Sequence, residues 1–365
     1  MLKKNDIDVL LLDIVFPRME NGENITSAGI ELVAEILDRG RYLDPASILI
    51  LSAFSDILSE HGSFLQQSDI KTSYFDSKDE RWKNSVDNIL EEQTNMVKQG
   101  RIRKKVDICI QCALPDPEAK WAAKLLDNTS QLQLSPSGLQ YFEGQITSNE
   151  QQLSVIIVQQ NQPGPIESSI VGTKITYDFK PKLVFMTGIC AGVGSDIGLG
   201  DILVSSHVWD WQRGKFSEEN GSSKFLVEPI QEQCSTMLLQ KMQIFSKTYD
   251  FNTLYSSWDF TKPERYIKLK IGPTATSSSV IASGAKIDEI KDSQNRKMIG
   301  LEMEGFGFYS SIKSSHEYDT HCMLIKSVSD KADVSKGDDF QPYCAHISAK
   351  FALDFARYVF DNTNL

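Results

Sequence analysis

No apolar run in this 365-residue chain is long enough to span a membrane, and its opening Met1-Leu2-Lys3-Lys4 leads into no signal-peptide core. Insertion and export are set aside, and a cytoplasmic protein is expected. Basic charge is also short: 38 Lys and Arg stand against 49 Asp and Glu, a net charge of −11. That balance argues against a nucleic-acid backbone as a main partner. Cysteine is sparse, at six residues, and only Cys109 and Cys112 form a CxxC. They lie in Val106-Asp107-Ile108-Cys109-Ile110-Gln111-Cys112, which reads as a strand. Residues three apart on a strand face opposite sides, and no second CxxC completes a set of ligands. Buried reduced thiols and no metal site are expected. Internal repeats and low-complexity tracts are absent as well.

What the chain does have is acids in spaced motifs. Ile299-Gly300-Leu301-Glu302-Met303-Glu304-Gly305 places Glu304 at the start of a helix, and Lys326-Ser327-Val328-Ser329-Asp330-Lys331-Ala332-Asp333 places Asp330 at the end of an apolar strand. Paired acids suit cleavage of a glycosidic bond, one gripping sugar hydroxyls and one protonating the leaving group. A third segment, Val184-Phe185-Met186-Thr187-Gly188-Ile189-Cys190-Ala191-Gly192, runs a strand into a glycine-rich turn where backbone can approach a ligand closely.

In this order the motifs resemble the nucleoside phosphorylase and methylthioadenosine/adenosylhomocysteine nucleosidase superfamily, over about 260 residues from Val106 onward. The resemblance implies an α/β domain with a mixed central sheet over residues 106–365. It makes Asp330 the general acid near N7 of a purine. Glu304 becomes the acceptor of ribose hydroxyls, with Met303 packed on the sugar. Gly188, Cys190, Ala191, Gly192 and Ser329 line the same pocket. The water-activating acid of the hydrolases falls, at its usual spacing, on Pro117; Glu118 is the first choice in its place and Asp116 the second. Phosphorylases of the family hold phosphate with an Arg where this chain has Met186. A phosphate dianion would there lack a partner, so water is the expected acceptor. The base pocket is expected in 280–287, with Ile287 near the position where methylthioadenosine nucleosidases carry a stacking Phe.

The first hundred residues form a different unit. Asp8-Val9-Leu10-Leu11-Leu12-Asp13 and Ile48-Leu49-Ile50-Leu51 read as buried parallel strands with a helix between them, and Tyr74-Phe75 as a third element before Lys78. This resembles the flavodoxin-like receiver domain of two-component response regulators. By resemblance Asp13 is the phosphoacceptor, read out by Ser52 and Lys78, with Phe75 a switch aromatic and Mg²⁺ a possible cofactor for phosphorylation. The unit, 1–79, is expected to lack a receiver's first strand and helix: either the true start lies upstream, or the domain is degenerate and serves as a docking or dimer surface. Residues 80–105 read as a linker helix with a basic end.

A receiver-like unit fused to a nucleosidase unit resembles the effectors of Detocs anti-phage defence systems. That resemblance implies a phosphorylation-gated enzyme splitting ATP into adenine and ribose triphosphate. It implies a sensor histidine kinase partner, a homo-oligomer such as a dimer, and no cofactor for the nucleosidase. Arg213, Lys215, Lys331 and Lys336 are the candidate cations for the triphosphate. A methylthioadenosine or adenosylhomocysteine nucleosidase, and a non-catalytic nucleotide-binding regulator, are the alternatives.

Overall fold

The aliphatic run Val9–Leu12 pairs in parallel with Ser47–Ser52, and that strand pairs in parallel with Lys71–Tyr74. These strands and the helices around them make up the first of two units, Met1–Ile102; the second is Arg103–Leu365. The computed structural model describes residues 7–17, 24–37, 47–68, 70–98, 105–149, 151–219, 221–228, 230–314, 320–333 and 337–363.

In the first unit, Ile30, Val33 and Ile36 of helix Ala28–Leu37 meet Ile14, Ile48, Ile50 and Leu65 in one apolar core. Helical spacing puts those three residues on one stripe, and the sheet buries it. The helix expected as a linker, Arg81–Lys98, belongs to this unit. It packs on the sheet through fully buried Ile89, a Gln93-to-Ser47 side-chain hydrogen bond, a Lys71–Glu92 ion pair, and Ser85 Oγ donating to Ser73 Oγ at 3.0 Å. Its apolar seam therefore faces a sheet rather than a gap between units. Leu90, read as part of that seam, is 48% exposed. Most of the basic end, 99–104, lies outside the described residues.

The second unit is a mixed α/β fold on an eleven-stranded sheet. Its middle is parallel: Gln151–Gln159, Val106–Cys112, Pro181–Thr187 and His321–Asp330 lie side by side. Strands buried on both faces read as near-continuous aliphatic runs, which is why 106–112 and 181–187 were legible. Antiparallel Gln140–Ser148 and Gln133–Leu134 extend one edge. At the other end the sheet runs through Ile189–Gly192, Gly300–Glu302, Leu269–Thr276 and Ile202–Asp210. Ile202–Asp210 then pairs antiparallel with His321–Asp330, Leu203 opposite Lys326, so this end closes on itself. The long strand His321–Asp330 thus serves both halves of the sheet, and its last residues stand at the closure.

Gly188 allows this arrangement. It separates Pro181–Thr187 from Ile189–Gly192, which both pair with His321–Asp330. Its φ of +134° is in the region L side chains avoid, and a Cβ there would lie 2.0 Å from Glu118 Oε1.

Helix Pro165–Phe179 crosses Gly305–Lys313 at close range. A Cβ on Gly172 would fall 2.1 Å from Ser311 Oγ, and one on Gly307 would fall 2.0 Å from the Pro165 carbonyl oxygen. Helix Gln341–Asp361 buries Tyr343, Phe351 and Phe355, the last with its ring centroid 6.1 Å from that of Phe185. The Gly307 contact is against backbone, which cannot rotate away. Gly307→Ala should therefore destabilise the unit: overpacking costs about 1–3 kcal/mol, against a helix-propensity gain of at most ~1 kcal/mol. Chemical denaturation should show the loss; an unchanged midpoint would mean the two helices separate freely.

Candidate active site

The closed end of the sheet, the Gly188 turn and the start of helix Gly305–Lys313 surround a cleft of about 220 Å³. Its charged residues come from three places in the chain. The end of strand His321–Asp330 brings Lys326, Ser329 and Asp330. Strand Gly300–Glu302 and the helix start bring Glu302, Met303 and Glu304, and the turn Pro115–Ala119 after strand Val106–Cys112 brings Glu118.

Four charged groups converge in a nearly water-free space: Glu118, Glu302, Glu304 and Lys326 are 1–5% exposed. Lys326 Nζ lies 3.1 Å from Glu304 Oε2 and 4.0 Å from Glu118 Oε1. Glu304 Oε1 also accepts the Gly164 N–H at 3.1 Å. Glu118 takes three backbone donors: Ala113 N–H at 2.7 Å and Leu114 N–H at 3.0 Å on Oε2, and Ile189 N–H at 2.9 Å on Oε1. Glu302 Oε1 accepts the Thr276 hydroxyl at 2.7 Å. Asp330 Oδ1 accepts the Ala332 N–H at 2.8 Å, and Oδ2 accepts the Ser329 hydroxyl at 3.2 Å.

Burial decides the acid–base character of this cluster. It pushes the Glu118 carboxyl above its ordinary range; nearby Lys326 opposes that and Glu304 adds to it. Burial, then the Glu304 charge, lifts Glu302 to about 7. Lys326 goes the other way: burial pulls its ammonium down, but Glu304, Glu118 and Glu302 outweigh that and hold it above the usual lysine value. Cys190 on the cleft wall is pushed far up by burial and stays a neutral thiol.

The cleft collects many of the residues singled out from sequence. Asp330, Glu304, Glu118, Met303, Ser329, Cys190 and Ala191 all line it. Asp116, the second choice for activating water, faces solvent and pairs with Lys120 at 2.8 Å. Gly188 abuts Glu118 from behind, and Gly192 is packed against Ile197 and Val328 rather than lining the cleft. Met186 is fully buried, with Ser168 Oγ 3.9 Å from its sulfur.

Other placements need correction. Ile287 does not line the cleft: helix Gly284–Ser293 turns it into a core with Trp209, Ile290 and Met298, and Val280 and Ile281 line the cleft instead. Arg213 and Lys215 do not line it either. Both are exposed, at the foot of hairpin Gly214–Glu219/Ser222–Val227, and Arg213 pairs with Glu228 at 2.9 Å. Lys331 spends its ammonium on the Gly194 carbonyl at 2.9 Å and on that of Ile197. Lys336 lies outside the described residues.

Sequence reasoning missed Lys326 and Glu302. A signal existed for the first, since a lone Lys in the aliphatic run Met323-Leu324-Ile325-Lys326 is a charge in a buried strand and requires a partner. Glu302, between Leu301 and Met303, carried the same signal more faintly.

In the first unit, Asp13 is exposed just past strand Val9–Leu12, and its Oδ1 accepts the Val15 N–H at 3.4 Å. Ser52 is buried at its strand end, while Lys78 is exposed and its N–H donates to Asp76 Oδ1 at 2.9 Å. Phe75 is 37% exposed, its ring centroid 5.2 Å from that of Trp82. Among the described residues, no three Asp, Glu, His or Cys side chains cluster as metal ligands, so the Mg²⁺ considered for this unit enters no step below.

The raised value of Glu302 has a stability consequence. A carboxyl lifted from 4.5 to about 7 holds its proton more tightly folded than unfolded. Its contribution to stability is full below pH 4.5 and is lost as pH rises through about 7. Glu302→Gln removes this titration and keeps an oxygen acceptor. The unfolding midpoint of the variant should therefore climb relative to wild type between pH 5 and pH 8. A constant difference across that range would show that Glu302 keeps one charge state throughout.

Residues 107–359 match the family model described as Phosphorylase superfamily. A protein of Sinorhizobium fredii, y4jS, is 28% identical over 372 residues, covering 96% of this chain and 88% of that protein. A death domain-containing ATP nucleosidase of Amphimedon queenslandica is 24% identical over 202 residues; the match takes in 53% of this chain and 37% of that protein's length. Among solved structures, Streptococcus pneumoniae MTA/SAH nucleosidase in complex with 8-aminoadenine has a TM-score of 0.53 at 20% identity, covering 69% of this chain and all of that one. That likeness concerns the fold. The family match itself runs from strand Val106–Cys112 into helix Gln341–Asp361 and takes in every acid of the cleft, and the chain belongs to the phosphorylase superfamily.

Proposed function

We propose that the second unit is an enzyme that hydrolyses the N-glycosidic bond of a purine nucleotide, with ATP the leading substrate and adenine and ribose triphosphate the products. The observation that carries this reading is the convergence of Asp330, Glu304 and Glu118 on one cleft, with Lys326 between the two glutamates. Glu304 accepts hydrogen bonds from the ribose hydroxyls. Asp330 donates a proton to N7 as the bond between C1′ and N9 breaks, so the base leaves neutral. Glu118 takes a proton from water, whose oxygen bonds to C1′. A buried carboxylate with a raised value is a stronger base, which suits that step. Water rather than phosphate is the acceptor, because Met186 stands where a phosphate-binding Arg would be needed. The name of the Amphimedon queenslandica relative supports ATP as substrate.

The gating half of the reading concerns the first unit. Three parallel strands carry Asp13 just past the first, Ser52 at the end of the second and Lys78 beyond the third. Phosphorylation of Asp13 by a sensor histidine kinase would then switch the nucleosidase on, draining the nucleotide pool in anti-phage defence.

One observation favours a second reading. Among the described residues the only cation lining the cleft is Lys326, and it is already paired with Glu304. A site without a spare cation suits an uncharged 5′ group, as in methylthioadenosine or adenosylhomocysteine. Free adenine should be assayed after incubation with ATP, AMP, adenosine and methylthioadenosine, with and without a phosphoryl donor. Release from ATP that rises with the donor supports the gated enzyme; release from methylthioadenosine alone supports the second reading. Asp330→Asn should lower kcat by roughly 10²–10⁴ while leaving substrate binding in place. Undiminished turnover in that variant would remove Asp330 from the mechanism.

A further inference from the structure

Glu302 is a buried acid that the mechanism above does not use. Its Oε2 accepts the N–H of Glu304 at 2.9 Å and that of Gly305 at 2.7 Å. Its Oε1 accepts the Thr276 hydroxyl, whose oxygen in turn accepts the Phe306 N–H at 2.9 Å. Three consecutive backbone donors at the start of helix Gly305–Lys313 are thus held by one carboxylate and one hydroxyl. Helix starts leave such donors without intrahelical partners, and a carboxylate there is favoured by the helix dipole. A Ser, Thr or Asp cap would serve the helix alone. Here the clamped N–H of Glu304 belongs to the residue assigned to the ribose, and the Thr276 hydroxyl ties the clamp to the neighbouring strand Leu269–Thr276.

We infer that Glu302 is the positioning residue for ribose recognition: by fixing the backbone of Glu304 it sets where that carboxylate meets the sugar hydroxyls, and so the preference for ribose over 2′-deoxyribose. This rests on the reading of Glu304 as the ribose ligand. Glu304 is fixed at both ends, its backbone by Glu302 and its carboxylate by Lys326 and Gly164. Without Glu302 the side-chain contacts remain, but the main chain that carries them is free to shift. The clamp does not need the charge: Oε2 can accept both N–H groups whether the carboxyl is ionised or protonated at Oε1.

The test uses the full chain. Dissociation constants for ATP and 2′-deoxy-ATP, and for methylthioadenosine and its 2′-deoxy analogue, are measured by calorimetry in an Asp330→Asn background, where turnover is suppressed. In Glu302→Ala the ribose preference should fall roughly 10-fold or more, on the scale of a lost hydrogen bond to a charged group. Glu302→Gln, whose amide oxygen can accept the same two N–H groups, should restore most of it. A folded Glu302→Ala that keeps the wild-type preference, with lower stability alone, would overturn the inference. If that variant does not fold, Thr276→Val loosens the same clamp from its other end; a smaller loss of preference supports the inference and an unchanged preference overturns it. Adenine release by the chain without Asp330→Asn is read separately. A Glu302-dependent ribose preference with no adenine release would sink the hydrolytic reading and keep this one. Adenine release with a Glu302-independent preference would do the reverse.

Discussion

One ammonium, Lys326, holds together groups that the chain delivers from three distant places. Its Nζ stands 3.1 Å from Glu304 and 4.0 Å from Glu118, and it is 2% exposed. Desolvating a charge costs several kcal/mol per ion, and only close partners and further hydrogen bonds repay it. None of the three could be buried alone. Strand His321–Asp330, the Pro115–Ala119 turn and the start of helix Gly305–Lys313 must therefore meet at one point. The strand occupies that point because it is shared: it pairs with Pro181–Thr187 along its first half, and with Ile189–Gly192 and Ile202–Asp210 farther on.

The backbone around this charge is correspondingly tight. Gly188 bends the chain behind Glu118 with no room for a side chain, and Ile189, the next residue, donates its N–H to that carboxylate. Gly307 brings the Pro165 end of one helix against another. The same crossing lets Gly164 reach Glu304 Oε1, so helix packing and the anchoring of this cleft carboxylate are one constraint. A change at the crossing would be felt at the cleft through the backbone, without touching a reacting group.

How much of this was legible follows from the kind of information each residue carries. The parallel strands were, because burial on both faces writes itself as a continuous aliphatic run. Asp330 and Glu304 were, because they sit in motifs whose order is distinctive; Glu118 was reached only as a substitute for Pro117, and the fold brings it rather than Asp116 to the cleft. Lys326 and Glu302 were not picked out, since their meaning lies in partners far along the chain that spacing does not reveal. Ile287 was misplaced for a related reason: the loop residues Val280 and Ile281 line the cleft, and a helix a few residues later turns Ile287 into the core. Helix Arg81–Lys98 read as a linker because its polar composition hides how few buried side chains, Ile89 and Gln93, suffice to dock it on a small sheet.

Three glutamates within one buried cluster would be redundant if their surroundings were alike, and they are not. Glu302 is committed to main-chain donors and a threonine hydroxyl, which makes it part of the scaffold. Glu304 is held by a backbone N–H and by Lys326, and it lines the cleft with its charge balanced. Glu118 accepts three N–H groups, which fix its direction and favour its charged form, yet burial outweighs them and raises its proton affinity. Fixed aim together with raised basicity is what the activation of a water molecule requires. The division of labour among identical side chains is therefore written in the donors that surround each, and those donors come mostly from the backbone. This is why the fold, more than the identity of any single acid, sets the chemistry of the cleft.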